Sequence, residues 1–281
     1  MTTPTTTSAA TPAQFKAPSW FSLTRDRTKI ELKEFFRSRE QMIFIFSFPL
    51  IFMVLFGSIF GGQDVGQGVS FAQYFMAGMI ASGIMNTGFQ SLALGLAIDR
   101  DEDILKRIHG TPLPASAFFA GKVTQVLLVS ILQILALVAL GVVAFDVEIP
   151  KEPGQWFTFV WVFILGTGAS TTMGIATSSI LRNSKSGSAI LTPIVLFLQF
   201  ISGVFVVYTQ VPTFLQHVAE IFPLKWLAQG MRSVFLPEEF AAMEARGSWE
   251  HPATAIVLSI WFIAGTLLAI KTFRWLRPDD K

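Results

Sequence analysis

Phe119–Phe145 reads FAGKVTQVLLVSILQILALVALGVVAF, an apolar run whose one ionisable residue, Lys122, stands near its start. A bilayer's hydrocarbon core is about 30 Å thick and takes roughly 20 apolar residues in a helix, so this run is long enough to cross. Five more stretches read the same way: Met42–Phe60, Phe71–Ile98, Trp156–Leu181, Ala189–Tyr208 and Thr254–Phe273. The run from Phe71 is longer than a crossing needs, which predicts tilt or extension beyond the bilayer. Short strands with a two-residue repeat are absent, which argues against a β-barrel.

Composition agrees with this reading. The chain has 281 residues, 52% hydrophobic and 14% charged, with a mean hydropathy of +0.55. Soluble domains carry about 25% charged residues, so 14% cannot furnish an ordinary wet surface. Phe 28 and Trp 7 against Tyr 2 suits lipid-facing and interfacial positions, because a buried hydroxyl needs a partner that hydrocarbon does not supply. Cys 0 removes disulfides, thiolate chemistry and cysteine metal sites. With a net charge of +2, the distribution of charge matters more than its sum, and a nucleic-acid partner is not indicated.

Lys and Arg collect on cytoplasmic flanks. Seventeen of them lie before the first run, after the second, fourth and sixth, and only Lys151, Lys225, Arg232 and Arg246 lie on the other side. Both termini are therefore expected in the cytoplasm of a multi-pass protein of the cell membrane. Residues 1–18 are rich in Thr, Ala and Pro and read as a disordered tail. Residues 19–41, with Leu23, Ile30, Phe35 and Phe36 among mixed charges, read as a helix lying along the inner leaflet or contacting a partner. Residues 42–273 hold the six spans, and 274–281 form a cytoplasmic tail. The first run follows a polar segment and ends without a small-x-small cleavage site, so it is expected to stay in the mature chain.

The loop between the second and third runs, Asp99-Arg100-Asp101-Glu102-Asp103-Ile104-Leu105-Lys106-Arg107-Ile108-His109-Gly110-Thr111-Pro112-Leu113-Pro114, puts acids first and bases last, as a helix dipole favours. A helix of about two turns is expected, with Gly110 as its left-handed stop and Pro112 forbidding continuation. Ile104, Leu105 and Ile108 share a face. A helix this short needs something to hold that face: its own helix ends and the inner leaflet, or the groove of a partner.

Gly110-Thr111-Pro112-Leu113-Pro114, then Phe119-Ala120-Gly121-Lys122, resembles the coupling-helix region of type-2 ABC-transporter permeases, particularly the daunorubicin-resistance-like exporters. Ile221-Phe222-Pro223-Leu224-Lys225-Trp226-Leu227 with Met231-Arg232 resembles that family's Phe-Pro-Leu-Lys segment before the last span. The resemblance covers nearly the whole chain from Ser19. It implies an all-α integral membrane protein with six transmembrane helices, an N-terminal interfacial helix, a short cytoplasmic coupling helix and an external re-entrant helix pair before the last span. It further implies that Asp101, Glu102, Asp103, Ile104, Leu105, Lys106, Arg107, Ile108 and His109 dock into a separate ATPase. Two such ABC ATPase subunits would carry the ATP and Mg, and a second permease copy or a paralogue would complete the transporter.

Amides in hydrocarbon need partners. Ser82, Asn86 and Gln90 on the second run, with Gln199 and Ser202 on the fifth, are the candidate cargo pathway; Gly83, Thr87, Ser91 and Gly95 form an adjoining face. Gly166, Ser170, Gly174 and Ser178 on the fourth recur every four residues, a spacing for close helix packing. The external stretch after Tyr208 has two helical apolar patterns broken by Pro223, each too short to cross. No ionisable residue lies deep in a run, which argues against a proton-driven carrier. There is no G-x-x-x-x-G-K-[ST] segment for a phosphate-binding loop. His109, His217 and His251 are scattered, so neither metal nor Ser-His catalysis is expected, and the chain itself should bind no cofactor. The expected function is a permease subunit exporting an amphipathic drug, lipid or glycolipid. The alternatives are a membrane scaffold without transport, or a secondary carrier.

Overall fold

The computed structural model describes residues 18–275, whose regular structure is helical apart from one isolated bridge between Asp64 and Ser70. The tail expected over residues 1–18 lies outside the described residues except for Pro18, as does the C-terminal tail beyond Trp275. α1 spans Trp20–Arg37 and α2 Arg39–Phe60. α3, Phe71–Met85, runs through a π-helical segment, Asn86–Ser91, into α4, Leu92–Asp101. There follow α5 Ile104–His109, α6 Ala115–Phe145, α7 Pro153–Ser178, α8 Ser184–Ile201, α9 Thr213–Ile221, α10 Pro223–Phe235 and α11 His251–Thr272. Five helices, α2, α6, α7, α8 and α11, are each long and apolar enough to cross a membrane. The run from Phe71 is a further apolar helical stretch, divided by its π segment.

Local chemistry sets the helix ends. Ser19, Ser70 and Asn183 accept hydrogen bonds from the backbone N–H groups of Ser22, Gln73 and Ser186, so α1, α3 and α8 start on side-chain caps. Glu152 and Gln155 form a reciprocal capping box at α7, and Pro153 and Pro223 occupy first-turn positions where no N–H is needed. The interfacial helix expected through Gln41 breaks at Ser38. The fifth run, expected to continue to Tyr208, stops at Ile201 because Gly203 takes a φ of +76° and the chain folds back. Val204–Val207 is apolar because it is buried, not because it is helical. The left-handed residue of the loop is Asp103, with φ 57°, ahead of α5; Gly110, expected to stop the helix in that conformation, has φ −77°.

α3, α7 and α10 form the centre. Every residue of α10 is buried, and α10 packs on α3, α7 and α11. α2, α6, α8 and α11 surround them and turn apolar side chains outward, among them Ile51, Leu135, Phe197 and Ile263. α7 meets the π segment at two glycines. A Cβ on Gly174 would lie 2.5 Å from the Gly88 carbonyl oxygen, and one on Gly88 would lie 2.9 Å from Ser170 Cβ, so backbone approaches backbone there.

Lys225 and Arg232, which the sequence places among external charges, are 1% and 0% exposed. Arg232 donates from Nε to Glu244 Oε1 at 2.6 Å and from Nη2 to Oε2 at 3.1 Å, and lies 5.1 Å over the Tyr74 ring. Lys225 Nζ donates to Gln229 at 2.6 Å, faces Glu250 at 3.6 Å and sits over the Trp226 ring. Burial pushes its ammonium down to about 8, against the pull of Glu250. These pairs tie α10 to the segment leading into α11 and, through Tyr74, to α3. Removing one charge of a buried pair strands the other. R232L is expected to cost about 3–5 kcal/mol, and R232L/E244L to recover most of it. Thermal unfolding of the three proteins in the same lipid nanodiscs checks this.

Candidate functional site

Two places combine polar chemistry with accessible space. The first is a groove of about 140 Å³ between α2, the π segment and α8, walled by Phe44, Ile45, Phe48, Pro49, Val195 and Leu196, with Asn86, Gln90, Thr192 and Gln199 as its principal polar groups. Gln199 Nε2 donates to Asn86 Oδ1 at 3.2 Å, and Gln90 Nε2 donates to Thr192 Oγ1 at 3.0 Å. Gln199 Oε1 is buried with no hydrogen-bond partner. Three of the five candidate pathway residues, Asn86, Gln90 and Gln199, thus share this groove. Ser82 and Ser202 are fully buried and off its wall; Ser82 accepts from Asn86 Nδ2 at 3.5 Å, and Ser202 Oγ has no partner.

Sequence reasoning passed over the residues that shape the groove. Pro49 has no N–H, which frees the Ile45 carbonyl one turn earlier, and Gln133 Nε2 of α6 donates to it at 2.8 Å. Gln133 Oε1 accepts from Thr87 of the π segment at 3.4 Å. A glutamine at the middle of an apolar run, with a proline in another, was the available signal, although nothing in the sequence pairs them. The π segment carries no sequence mark either. Such segments recur at functional sites, and here its residues supply Asn86 and Gln90 to the groove.

A wider cavity of about 610 Å³ shares Phe44, Ile45, Gln90 and Ser91 with the groove and extends between α1, α2, α4 and α6. At its far end Lys122 Nζ lies 2.9 Å from both Glu31 Oε2 and Asp99 Oδ2, and Glu31 also pairs with Arg27. Arg27 Cζ stands 4.9 Å over the Phe118 ring. α1 is therefore bolted to α4 and α6 by buried ions. Burial and the neighbouring Glu31 push the Glu34 carboxyl up from its ordinary range.

The second place is the end of the bundle that carries α5. Asp101 ends α4, Glu102 and Asp103 form the turn, and Ile104–His109 is helical. Leu105 is 1% exposed, sunk among Leu92, Leu96, Phe118, Val126 and Ile175, with Ile108 packed beside it. The apolar face of α5 is thus covered by the chain's own helix ends. Glu102, Lys106, Arg107 and His109 stay exposed. Asp101 Oδ2 accepts from the Ser184 backbone at 2.8 Å and Arg100 Nη2 donates to the Leu181 carbonyl at 2.6 Å, so the α7–α8 connection forms one platform with α5.

The α7 stripe is buried throughout: Gly166 lies against Leu227, Ser170 Oγ meets Met85 Sδ at 3.5 Å, Gly174 touches the π segment, and Ser178 Oγ donates to the Ile175 carbonyl at 2.7 Å. His251 Nε2 lies 3.0 Å from Ser233 Oγ, a Ser-His contact that the sequence reading did not foresee. Ser233 Oγ also donates to the Gly230 carbonyl at 2.8 Å, and in that arrangement its oxygen is left to accept from the imidazole. Among the described residues no three His, Asp or Glu side chains gather as metal ligands.

Because Leu105 is a core residue, L105D is expected to lower stability by about 3 kcal/mol or more through a buried unpaired charge, while K106E stays within about 0.5 kcal/mol of the parent. Thermal unfolding of the isolated chain separates the two.

A profile of the ABC-2 type transporter family matches residues 27–236, a range that includes the groove, the charge cluster, α5 and α10. A chain of Porphyra purpurea that carries the name transport permease ycf38, with the qualifier of an inferred assignment, is 23% identical over 222 residues, covering 75% of this chain and 74% of that one. A multi-pass helical chain with this match belongs to the ABC-2 type transporter family, as a membrane permease subunit.

Proposed function

We propose that the chain is the membrane half of an ATP-driven exporter that moves an amphipathic drug, lipid or glycolipid out of the cytoplasm or the inner leaflet. It works as six spans, counting the α3–π–α4 run as one, paired with a second copy or a paralogue. Two separate ABC ATPase subunits supply the ATP hydrolysis. Both termini lie in the cytoplasm of the cell membrane, with α5 as the coupling helix. The resemblance of the loop and of the Phe-Pro-Leu-Lys segment to daunorubicin-resistance-like exporters supports this reading.

The observation that carries it is continuity. The helical run that supplies Asn86 and Gln90 to the groove ends at Asp101, at the head of α5. A push on α5 from an ATPase would act on α4, and α4 is continuous with the π segment in the groove wall. The exposed charges of α5, Lys106 and Arg107 first, would meet the ATPase, while Leu105 keeps the helix on its seat. An apolar groove with a few amides suits a cargo with an apolar body and a modest polar group.

The test is ATP-dependent export from proteoliposomes that hold this chain and its co-purified ATPase, against a panel of lipids and amphipathic drugs. ATP turnover that no cargo changes, with no cargo moved, would sink the reading. The N86A/Q90A protein is expected to export about five- to tenfold more slowly while still retaining the ATPase.

A further inference from the structure

α5 has six residues, too few to hold a helix by themselves in water, and parts of the chain distant in sequence build its seat. α4 and α6 supply Leu92, Leu96, Phe118 and Val126 around Leu105. The segment just beyond α11 closes the open side. Phe273 lies edge-on to Phe119 at 4.7 Å, and Trp275 lies 5.1 Å from Phe273 and 5.4 Å from Phe118. Trp275 also stacks on His109, the last residue of α5, with ring centroids 5.2 Å apart and planes at 27°. One indole therefore touches the end of α5, the start of α6 and the exit of α11.

We propose, resting on the reading of α5 as the coupling helix, that Trp275 is a positioning residue. It fixes the angle at which α5 presents Lys106 and Arg107, and it passes displacement of α5 to α11. From α11 the contact continues to α7, where a Cβ on Gly265 would meet Thr172 Oγ1 at 2.5 Å and the Met173 backbone at 3.1 Å. From α7 it continues to the π segment at Gly174 and Gly88. The groove thus has two mechanical connections to α5: the direct one along α4, and a second through Trp275, α11 and α7. Aromatic pairs suit this role because ring geometry restrains angle as well as distance.

The chain has no cysteine, so Lys106→Cys gives one thiol for a spin label in the full-length protein in liposomes. Trp275→Ala should raise the label's mobility and Trp275→Phe should largely restore it. In proteoliposomes with the ATPase, W275A should lower the cargo moved per ATP hydrolysed roughly tenfold. Unchanged label mobility in W275A overturns the proposal. A loosened label with an unchanged cargo-per-ATP ratio overturns the transmitting role. A parent chain that exports nothing sinks the permease reading instead, and the label then decides by itself whether Trp275 holds α5.

Discussion

A polar group taken out of water has to find its partner inside the chain, and most of what is distinctive in this fold is a settlement of that requirement. Pro49 frees the Ile45 carbonyl, and Gln133 answers it from another helix. Lys122, 6% exposed, is held between Glu31 and Asp99. Arg232, fully buried, takes both carboxylate oxygens of Glu244. The first two join elements far apart in sequence and the third ties α10 to the segment that follows it, so hydrogen-bond demand fixes how the helices sit. Apolar burial among helices does less of this in a membrane, where lipid offers an equivalent surface.

Between the polar fasteners the helices approach through small residues. Gly174 lets α7 reach the backbone of the π segment, and Gly83 leaves space for the Gln133 amide. The result is a centre without room for larger side chains, beside a groove on its α2–α8 side that keeps open volume. That asymmetry suits a protein that moves a cargo along one flank while its centre transmits force. Two side-chain hydrogen bonds join the π segment to α8 across the groove, Gln199 to Asn86 at 3.2 Å and Gln90 to Thr192 at 3.0 Å. Such bonds open at modest cost.

Both ends of the bundle hold buried ion pairs, Lys122 with Glu31 and Asp99 near α5 and Arg232 with Glu244 at the other, but α5 itself rests on apolar contacts. Around α5 the charges at the surface stay wet, and aromatic rings with Leu105 hold the helix from beneath. At the opposite end the ions of α10 are buried and fully paired, and they rigidify that end. Force arriving at α5 would meet an element seated on apolar contacts, which slide more readily than buried ion pairs separate.

Residue pattern alone located the apolar runs, the break at Pro223 and the short helix ahead of Gly110, because hydrocarbon thickness and proline chemistry act on consecutive residues. It also picked out Asn86, Gln90 and Gln199, since an amide inside an apolar run stands out without any partner in view. It misplaced the end of the fifth run, because Val204–Val207 is apolar in a buried turn as it would be in a helix. It counted Lys225 and Arg232 on the external side without showing that they are buried and paired, because their partners Glu250 and Glu244 are ordinary acids until the chain folds them together. The turn of α5's apolar face inward, the π segment and the seat made by Trp275 were settled only by tertiary structure. Each depends on contacts between helices that composition and periodicity, being properties of one segment at a time, do not encode.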